Sequence, residues 1–482
     1  MSRKKAKIAI VGAGVAGSSL ALYLGQLGLE VTLFEKSSSI VNGPPFCHLH
    51  AGGNLYREIS DTQCIKLLKQ SIDFLRYYPF SVDYRPTVIV LPTTDNGTPK
   101  QLLPRLALLK SEYETLIGKD AKNKVLGESE NYYKLYSRES IEELKKRAIV
   151  KRPKNDDEWM IPVAHTIDLE KVQFPLIMVQ EYGLNLFRLA SGASLALKTF
   201  KNIDIRTETK VIHIEKQKAT KQWHITYSHD KQTQKEHFDY LVNAAGFRTG
   251  KIDDFLEVPC KRMVEFKAAY ISQWTSHKST LFPEIIFHGE RGTPRGMGQF
   301  TPYPNGYFQL HGMTKDITLY TDGLVKSDAV SCQPKLDKNF MKKIEQSWSK
   351  EEINSRTDAA IRHLSQFIPT FSQATVGSKP LFGAQQIPGD DPTLRVAEVS
   401  FPTLGYARCE IVKVSSVMDM IDTIVKQFIE LGYLDASVQG KRTLTHLEDL
   451  SETELVKYAK VLCKSREYPE DLANRNISST YC

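Results

Sequence analysis

Residues 7–36, KIAIVGAGVAGSSLALYLGQLGLEVTLFEK, constrain the fold more than any other stretch of the chain. Ile8 to Val11 form a short apolar run of the length of a buried parallel strand. Gly12, Gly14 and Gly17 follow in G-x-G-x-x-G spacing. The pattern predicts a helix over Ser18–Leu27 with Leu20, Leu24 and Leu27 on one face, then Gly28, then a strand over Val31–Phe34. Glu35 closes that strand, 23 positions after Gly12. Each part has a physical task. Gly12 permits the tight turn, Gly14 lets a pyrophosphate approach the backbone, and Gly17 lets helix and strand pack closely. The helix start offers free N–H groups and a positive dipole end to phosphate. Glu35 is placed to accept hydrogen bonds from ribose hydroxyls, which argues against a 2′-phosphate and so against NADP. The motif alone does not separate FAD from NAD.

A chain of 482 residues is too long for one ordinary core and predicts two or more domains. The net charge of +8 reads as a modest excess spread along the chain, compatible with an anionic substrate or an acidic membrane surface. No arginine-rich arm or zinc-knuckle spacing points to nucleic acid. The seven cysteines (47, 64, 260, 332, 409, 463 and 482) include no C-x-x-C. They read as free thiols in a reducing compartment, with no metal site. The basic start before an apolar run is not read as a signal peptide, because the glycines and the strand–helix–strand pattern continue through it. No run of about 18 apolar residues predicts a membrane span.

Further along, Gly43-Pro44-Pro45 marks a turn, and His48, His50 and Gly52-Gly53-Asn54 follow. A glycine pair just after the ribose acid suits close backbone approach to a cofactor. Helices are expected over 55–78, 111–116, 137–146, 181–200, 355–367 and 412–431, and a loop over 151–158. Tyr240–Asn243 reads as a buried strand leading to the small-residue turn Ala244-Ala245-Gly246. Alternation over 261–273, 285–288, 297–301 and 307–313 predicts an antiparallel sheet. PLFGAQQIPGDD reads as a loop before a strand at 394–399, and 435–482 as a polar helical tail in which Ser451 and Glu454 have cap spacing.

In order, GAGVAG with Glu35, HAGGN, KVIHIE, YLVNAAG, a sheet-rich region, LRVAEVSF and YARCEIVKVSS resemble the FAD-dependent D-amino-acid-oxidase-like superfamily over most of the chain. KVSSVMDMID and the HAGGN loop are most similar to its malate:quinone oxidoreductase and 2-hydroxyacid dehydrogenase branch. The resemblance implies an α/β fold: a Rossmann-like FAD-binding domain, an interleaved second domain built on an antiparallel sheet, and the helical C-terminal tail. The expected FAD domain comprises 1–84, 176–257 and 371–434, the substrate domain 85–175 and 258–370. FAD would lie extended and non-covalent, since PLFGAQQIPGDD lacks the cysteine that attaches flavin in sarcosine oxidases. His48, His50 and Cys47 are the residues placed to form a link instead.

Cofactor contacts are expected from Gly12, Gly14, Ala16, Gly17, Glu35 and Lys36, from Gly52, Gly53 and Asn54, and from Val211, Ala244, Ala245 and Gly246. Arg408, Val412 and Lys413, at the expected start of the Val412 helix, would face the charge that develops on a reduced flavin. Arg262, Arg291 and Arg295 are candidate clamps for a substrate carboxylate, Arg262 foremost. His48, His50 and His311 are candidate bases, because imidazole titrates near neutrality. The expected enzyme oxidises a small, anionic 2-hydroxy-acid-type substrate by hydride transfer to flavin N5, with quinone or another acceptor reoxidising the flavin. An amine or D-amino acid oxidase using oxygen, and a flavin-binding protein without turnover, are the alternatives. The expected location is cytoplasmic, and the amphipathic tail would allow peripheral contact with the inner face of the membrane.

Overall fold

A computed structural model describes residues 6–45, 49, 57, 59–318, 323–442 and 444–479. Its first sheet has six strands in the order Val399–Thr403, Tyr406–Cys409, Tyr240–Asn243, Lys7–Val11, Glu30–Phe34 and Ile203–Arg206. All neighbours run parallel except the first pair. The apolar run at the N-terminus has two faces to bury. Ile8 and Ile10 join the main core with Leu20, Leu24 and Ala21 of the helix Val15–Gln26. Ala9 and Val11 pack beneath a three-stranded antiparallel sheet, against Ile214, Trp223 and Ile225. Coverage on both faces is why this strand is not alternating in sequence.

The second sheet has nine strands and is mostly antiparallel, around the long strand Arg262–Gln273. One face carries an aromatic core including Phe266, Trp274, Phe300, Phe308 and Phe371. The helix Lys350–Ser365 covers that face. The opposite face carries a second, smaller apolar cluster of Ile89, Leu91, Ile177 and Val179 at one end and the polar residues Glu265, Lys267 and His311 elsewhere.

Several elements differ from expectation for identifiable reasons. The first helix starts at Val15, with Gly14 as its cap residue, three positions before the apolar periodicity begins. The helix expected over 181–200 spans Leu186–Leu197, because the Asn185 side chain accepts from Phe187 N and Arg188 N and sets the start. A helix, Asp156–Thr166, begins inside the expected loop: its first turn is acidic and reads as polar coil, but Asn155 caps it. The expected loop PLFGAQQIPGDD belongs largely to a strand, Thr375–Pro388, antiparallel to Arg262–Gln273. Its glycines and prolines disguise it in the sequence. That strand, and Leu176–Val179, hydrogen-bond into the nine-stranded sheet. The strand expected at 394–399 lies at Val399–Thr403.

The C-terminal tail is folded onto the body. Leu455, Ala459, Leu462 and Cys463 of the helix Glu452–Ser465 are buried and belong to the main core with the helix Leu186–Leu197. Ser191 Oγ donates to the Leu455 carbonyl at 2.8 Å, and Arg188 makes two 2.7 Å contacts to Glu452. The apolar stripe that made the tail a membrane candidate is therefore already covered. Among the described residues no helix is long and apolar enough to cross a membrane. Leu455→Ala should cost about 2–5 kcal/mol in urea unfolding. Val461→Ala, at a site 53 % exposed, should stay within about 0.5 kcal/mol.

Candidate dinucleotide site

The glycine loop and the turn at 244–246 touch backbone to backbone. Gly12 has φ +100°, and a Cβ there would strike the Ala244 carbonyl. A Cβ on Gly17 would overlap the Gly12 carbonyl oxygen. A Cβ on Gly14 would meet nothing within 4 Å. Gly12 and Gly17 thus serve the protein's own packing, while Gly14 leaves open space. The helix that Gly14 opens has no side-chain cap, so its first-turn N–H groups are available to an anion. Glu35 braces the loop: its Oε2 accepts from Ala13 N at 3.0 Å and its Oε1 from Ser37 N at 2.9 Å. A carboxylate has about four lone-pair sites, so capacity for ribose hydroxyls remains.

Two cavities flank this contact. One, about 190 Å³, is lined by Gly14, Ala16, Ala244, Gly246, Val412 and Lys413, with Pro44, Phe247, Gln385 and Gln386. The other, about 280 Å³, is lined by Gly12, Glu35, Lys36, Val211 and Ala245, with Phe34 and Arg248. An elongated ligand whose middle crosses the Gly12–Gly14 backbone would reach both. Gly17 borders neither and holds the helix against the loop. His48, His50, Gly52, Gly53, Asn54 and Cys47 lie outside the described residues. Pro44, Phe247, Gln385 and Gln386 were not foreseen. The signal for the glutamines was present, since a Gln-Gln pair is unusual in an otherwise small and apolar strand.

Three expectations need correction. The helix expected from Val412 begins at Val417, after a 3₁₀ turn at Val414–Ser416. Val412 and Lys413 therefore approach the first cavity as extended chain, and Gln385 Nε2 donates to the Val412 carbonyl at 2.8 Å. Arg408 does not face that cavity. Alternation along Tyr406–Cys409 sends Cys409 to it and Arg408 to the other side. There Arg408 meets Asp253 at 3.1 Å and Glu410 at 3.2 Å. Arg262 belongs to the same buried cluster, 3.4 Å from Asp253 and 3.3 Å from Glu410, with Gln386 Oε1 on its Nη1. Two guanidiniums and two carboxylates compensate one another, so Arg262 is not a free clamp. Gln386 also donates to the Cys409 carbonyl at 2.8 Å, so the cluster ties the two sheets together beside the cavity.

One strand pair links the first cavity to the polar residues of the strand Arg262–Gln273. Gln385 opposes Glu265 across one strand pair, a step of about 5 Å. Glu265 is 2.8 Å from Lys267 Nζ and also receives Arg291. Burial works against ionisation of Glu265, but these two cations hold its carboxyl down at about 2. One strand further, His311 Nδ1 sits 3.1 Å from the Ala268 carbonyl. A carbonyl only accepts, so Nδ1 carries the proton and Nε2 keeps its lone pair. Burial of the ring, reinforced by the Lys267 ammonium, pushes His311 down to about 4. His311, Lys267 and Glu265 border one small cavity with Thr318. Arg295 is exposed on a turn, and Tyr303 is buried against Gln309 at 3.3 Å.

The sequence model of the DAO family, described as FAD dependent oxidoreductase, matches residues 7–394. No curated protein sequence matches the chain. The fold is similar to that of glycerol-3-phosphate dehydrogenase from Bacillus halodurans complexed with FAD, at 14 % identity over 98 % of this chain and 74 % of that one, TM-score 0.55. It is similar to glycine oxidase from Geobacillus kaustophilus, at 12 % identity over 88 % and 95 % of the two chains, TM-score 0.53. It is also similar to L-amino acid deaminase from Proteus vulgaris, at 12 % identity over 93 % and 97 %, TM-score 0.55.

The glycines give a separable pair of outcomes. Gly14→Ala should leave the stability of the cofactor-free protein within about 0.5 kcal/mol, yet weaken FAD binding tenfold or more, about 1.4 kcal/mol. Gly17→Ala should instead lower stability by about 1–3 kcal/mol. Isothermal titration and thermal unfolding read both. Arg262→Ala should destabilise the protein by about 3–5 kcal/mol by orphaning buried carboxylates; a substrate clamp would instead raise KM at unchanged stability.

Proposed function

The chain belongs to the FAD dependent oxidoreductase family, and from that premise we propose that it oxidises the CH–OH group of a small anionic substrate of the 2-hydroxy acid type. FAD, when bound, supplies the hydride acceptor at N5 of its ring system. In this reading its adenosine end takes the cavity beside Glu35, Lys36 and Val211, and its pyrophosphate takes the open backbone at Gly14 and Ala16. Its isoalloxazine takes the cavity of Ala244, Gly246, Val412 and Lys413. Quinone or another acceptor would then reoxidise it.

One observation carries the substrate reading. A neutral imidazole with a lone pair on Nε2 stands in one small cavity with Lys267 and Glu265, and Glu265 pairs across one strand with Gln385 of the proposed flavin cavity. Lys267 and Arg291, both paired with Glu265, place cationic side chains on this face. A cationic environment of that kind suits a substrate carboxylate. His311 Nε2 would accept the hydroxyl proton as the hydride leaves the same carbon. A hydroxyl gives up its proton far less readily than a substrate ammonium group, so it needs such a base more. Lys413 would oppose the negative charge gained by the reduced ring.

An anaerobic screen tests this directly. Bleaching of the flavin absorption by 2-hydroxy acids is the expected result. Bleaching by amino acids alone would replace the reading with an amine oxidation, and an oxidised spectrum with every substrate would leave a flavin-binding protein without turnover. His311→Gln should lower kcat/KM about 10²–10⁴-fold. The ring is neutral in the folded protein down to about pH 4. The acid limb of wild-type kcat/KM should therefore fall near pH 4, well below the ordinary histidine value, and should be missing from the variant. Stability has the matching sign. Between the unfolded histidine value and about 4 the unfolded chain binds the extra proton, so this group's contribution declines as pH falls through that window.

A further inference from the structure

The net charge of the chain is not evenly spread. Residues 144–155, LKKRAIVKRPKN, carry Lys145, Lys146, Arg147, Lys151, Arg152 and Lys154 and no acid. Six charges in a dozen residues compare with +8 for the whole chain. All six cations are exposed, while Leu144 and Pro153 are buried and pin the segment at both ends. Between the two groups of cations sits Ile149, 37 % exposed. Leu135, 41 % exposed, lines an adjacent surface groove with Lys134, Lys146 and Arg147. These are two of only six large exposed hydrophobic residues among those described. Acids border the segment on both sides, Glu142 and Glu143 before it and Asp156, Asp157 and Glu158 after it; Glu142 pairs with Arg138, Glu143 with Lys146 and Asp157 with Lys134, and Glu158 accepts from Lys154 N at 2.7 Å.

We propose that residues 144–155, together with Leu135, form a docking surface for an anionic lipid bilayer. The chemistry favours lipid over nucleic acid. The segment has no aromatic side chain to stack on a base. Cations flanking an exposed aliphatic residue suit a charged headgroup layer over an apolar edge. The surface is distinct from the C-terminal tail, whose apolar stripe is buried. The inference does not depend on which substrate the enzyme takes.

Co-sedimentation of the full-length flavoprotein with vesicles tests it. Vesicles of phosphatidylcholine with about 30 mol% phosphatidylserine should pellet the protein, and pure phosphatidylcholine should not. Binding should weaken steeply with added salt. Lys151→Gln/Arg152→Gln/Lys154→Gln together should weaken binding about 100-fold, near fivefold per charge. Ile149→Asn, which leaves every cation in place, should weaken it about fivefold or more. Flavin absorbance in each variant reports that the fold is kept. Equal pelleting with neutral vesicles, unchanged pelleting of the triple variant, or binding of a single-stranded oligonucleotide without vesicle binding would each overturn the proposal.

Discussion

The close approach of two backbones, the loop Gly12–Gly14 and the turn Ala244–Gly246, is the constraint on which the rest depends. Neither Gly12 nor Gly17 has room for a methyl group. Ala244 N donates to the Val11 carbonyl at 2.9 Å, and Gly12 N to the Phe34 carbonyl at 2.8 Å. Three parallel strands thus end at one level, their carboxyl ends converging where an open α/β sheet binds ligands. Both cavities open on this junction, one on each side.

The second sheet must then be held in register with that junction. A charge-neutral cluster of Asp253, Arg262, Arg408 and Glu410 does so through Gln386, which accepts from Arg262 and donates to the Cys409 carbonyl. Buried ion pairs are weak evidence of net stability, because desolvation offsets attraction. Their directional demands are strict, however, and here they fix where Gln385 and Gln386 stand at the cavity wall. Burial raises the Asp253 carboxyl despite Arg408 beside it, a measure of how dry this joint is. Cationic side chains that looked available for substrate are thereby committed to architecture.

The nucleotide-binding half was legible because its information is local. Gly12, Gly14, Gly17 and Glu35 fall within one strand–helix–strand unit, and Ala244–Gly246 follow a four-residue apolar strand. The elements misread in the sequence all have local chemistry that contradicts their tertiary setting. Thr375–Pro388 is a strand despite three glycines and prolines between 377 and 383, because one long partner strand supplies its hydrogen bonds. Asp156–Thr166 is a helix despite its acidic start, because Trp159, Met160 and Val163 find a core that no window of sequence displays.

The proposed substrate side was less legible for a different reason: its residues meet only through sheet register. Gln385, Glu265 and His311 come from three strands scattered over more than a hundred positions, and Arg291 from a turn. Alternation can say that Arg262, Val264 and Phe266 leave a strand on one face and Met263, Glu265 and Lys267 on the other. It cannot say which face meets the cofactor domain. Once the sheet is assembled, Arg262 at the strand's end falls to the ion cluster, while Lys267 and Glu265 fall beside the histidine. The cationic and titratable side chains of this sheet therefore divide into a structural joint and the face proposed to meet substrate, and the division is made by pairing geometry between distant strands, not by residue type.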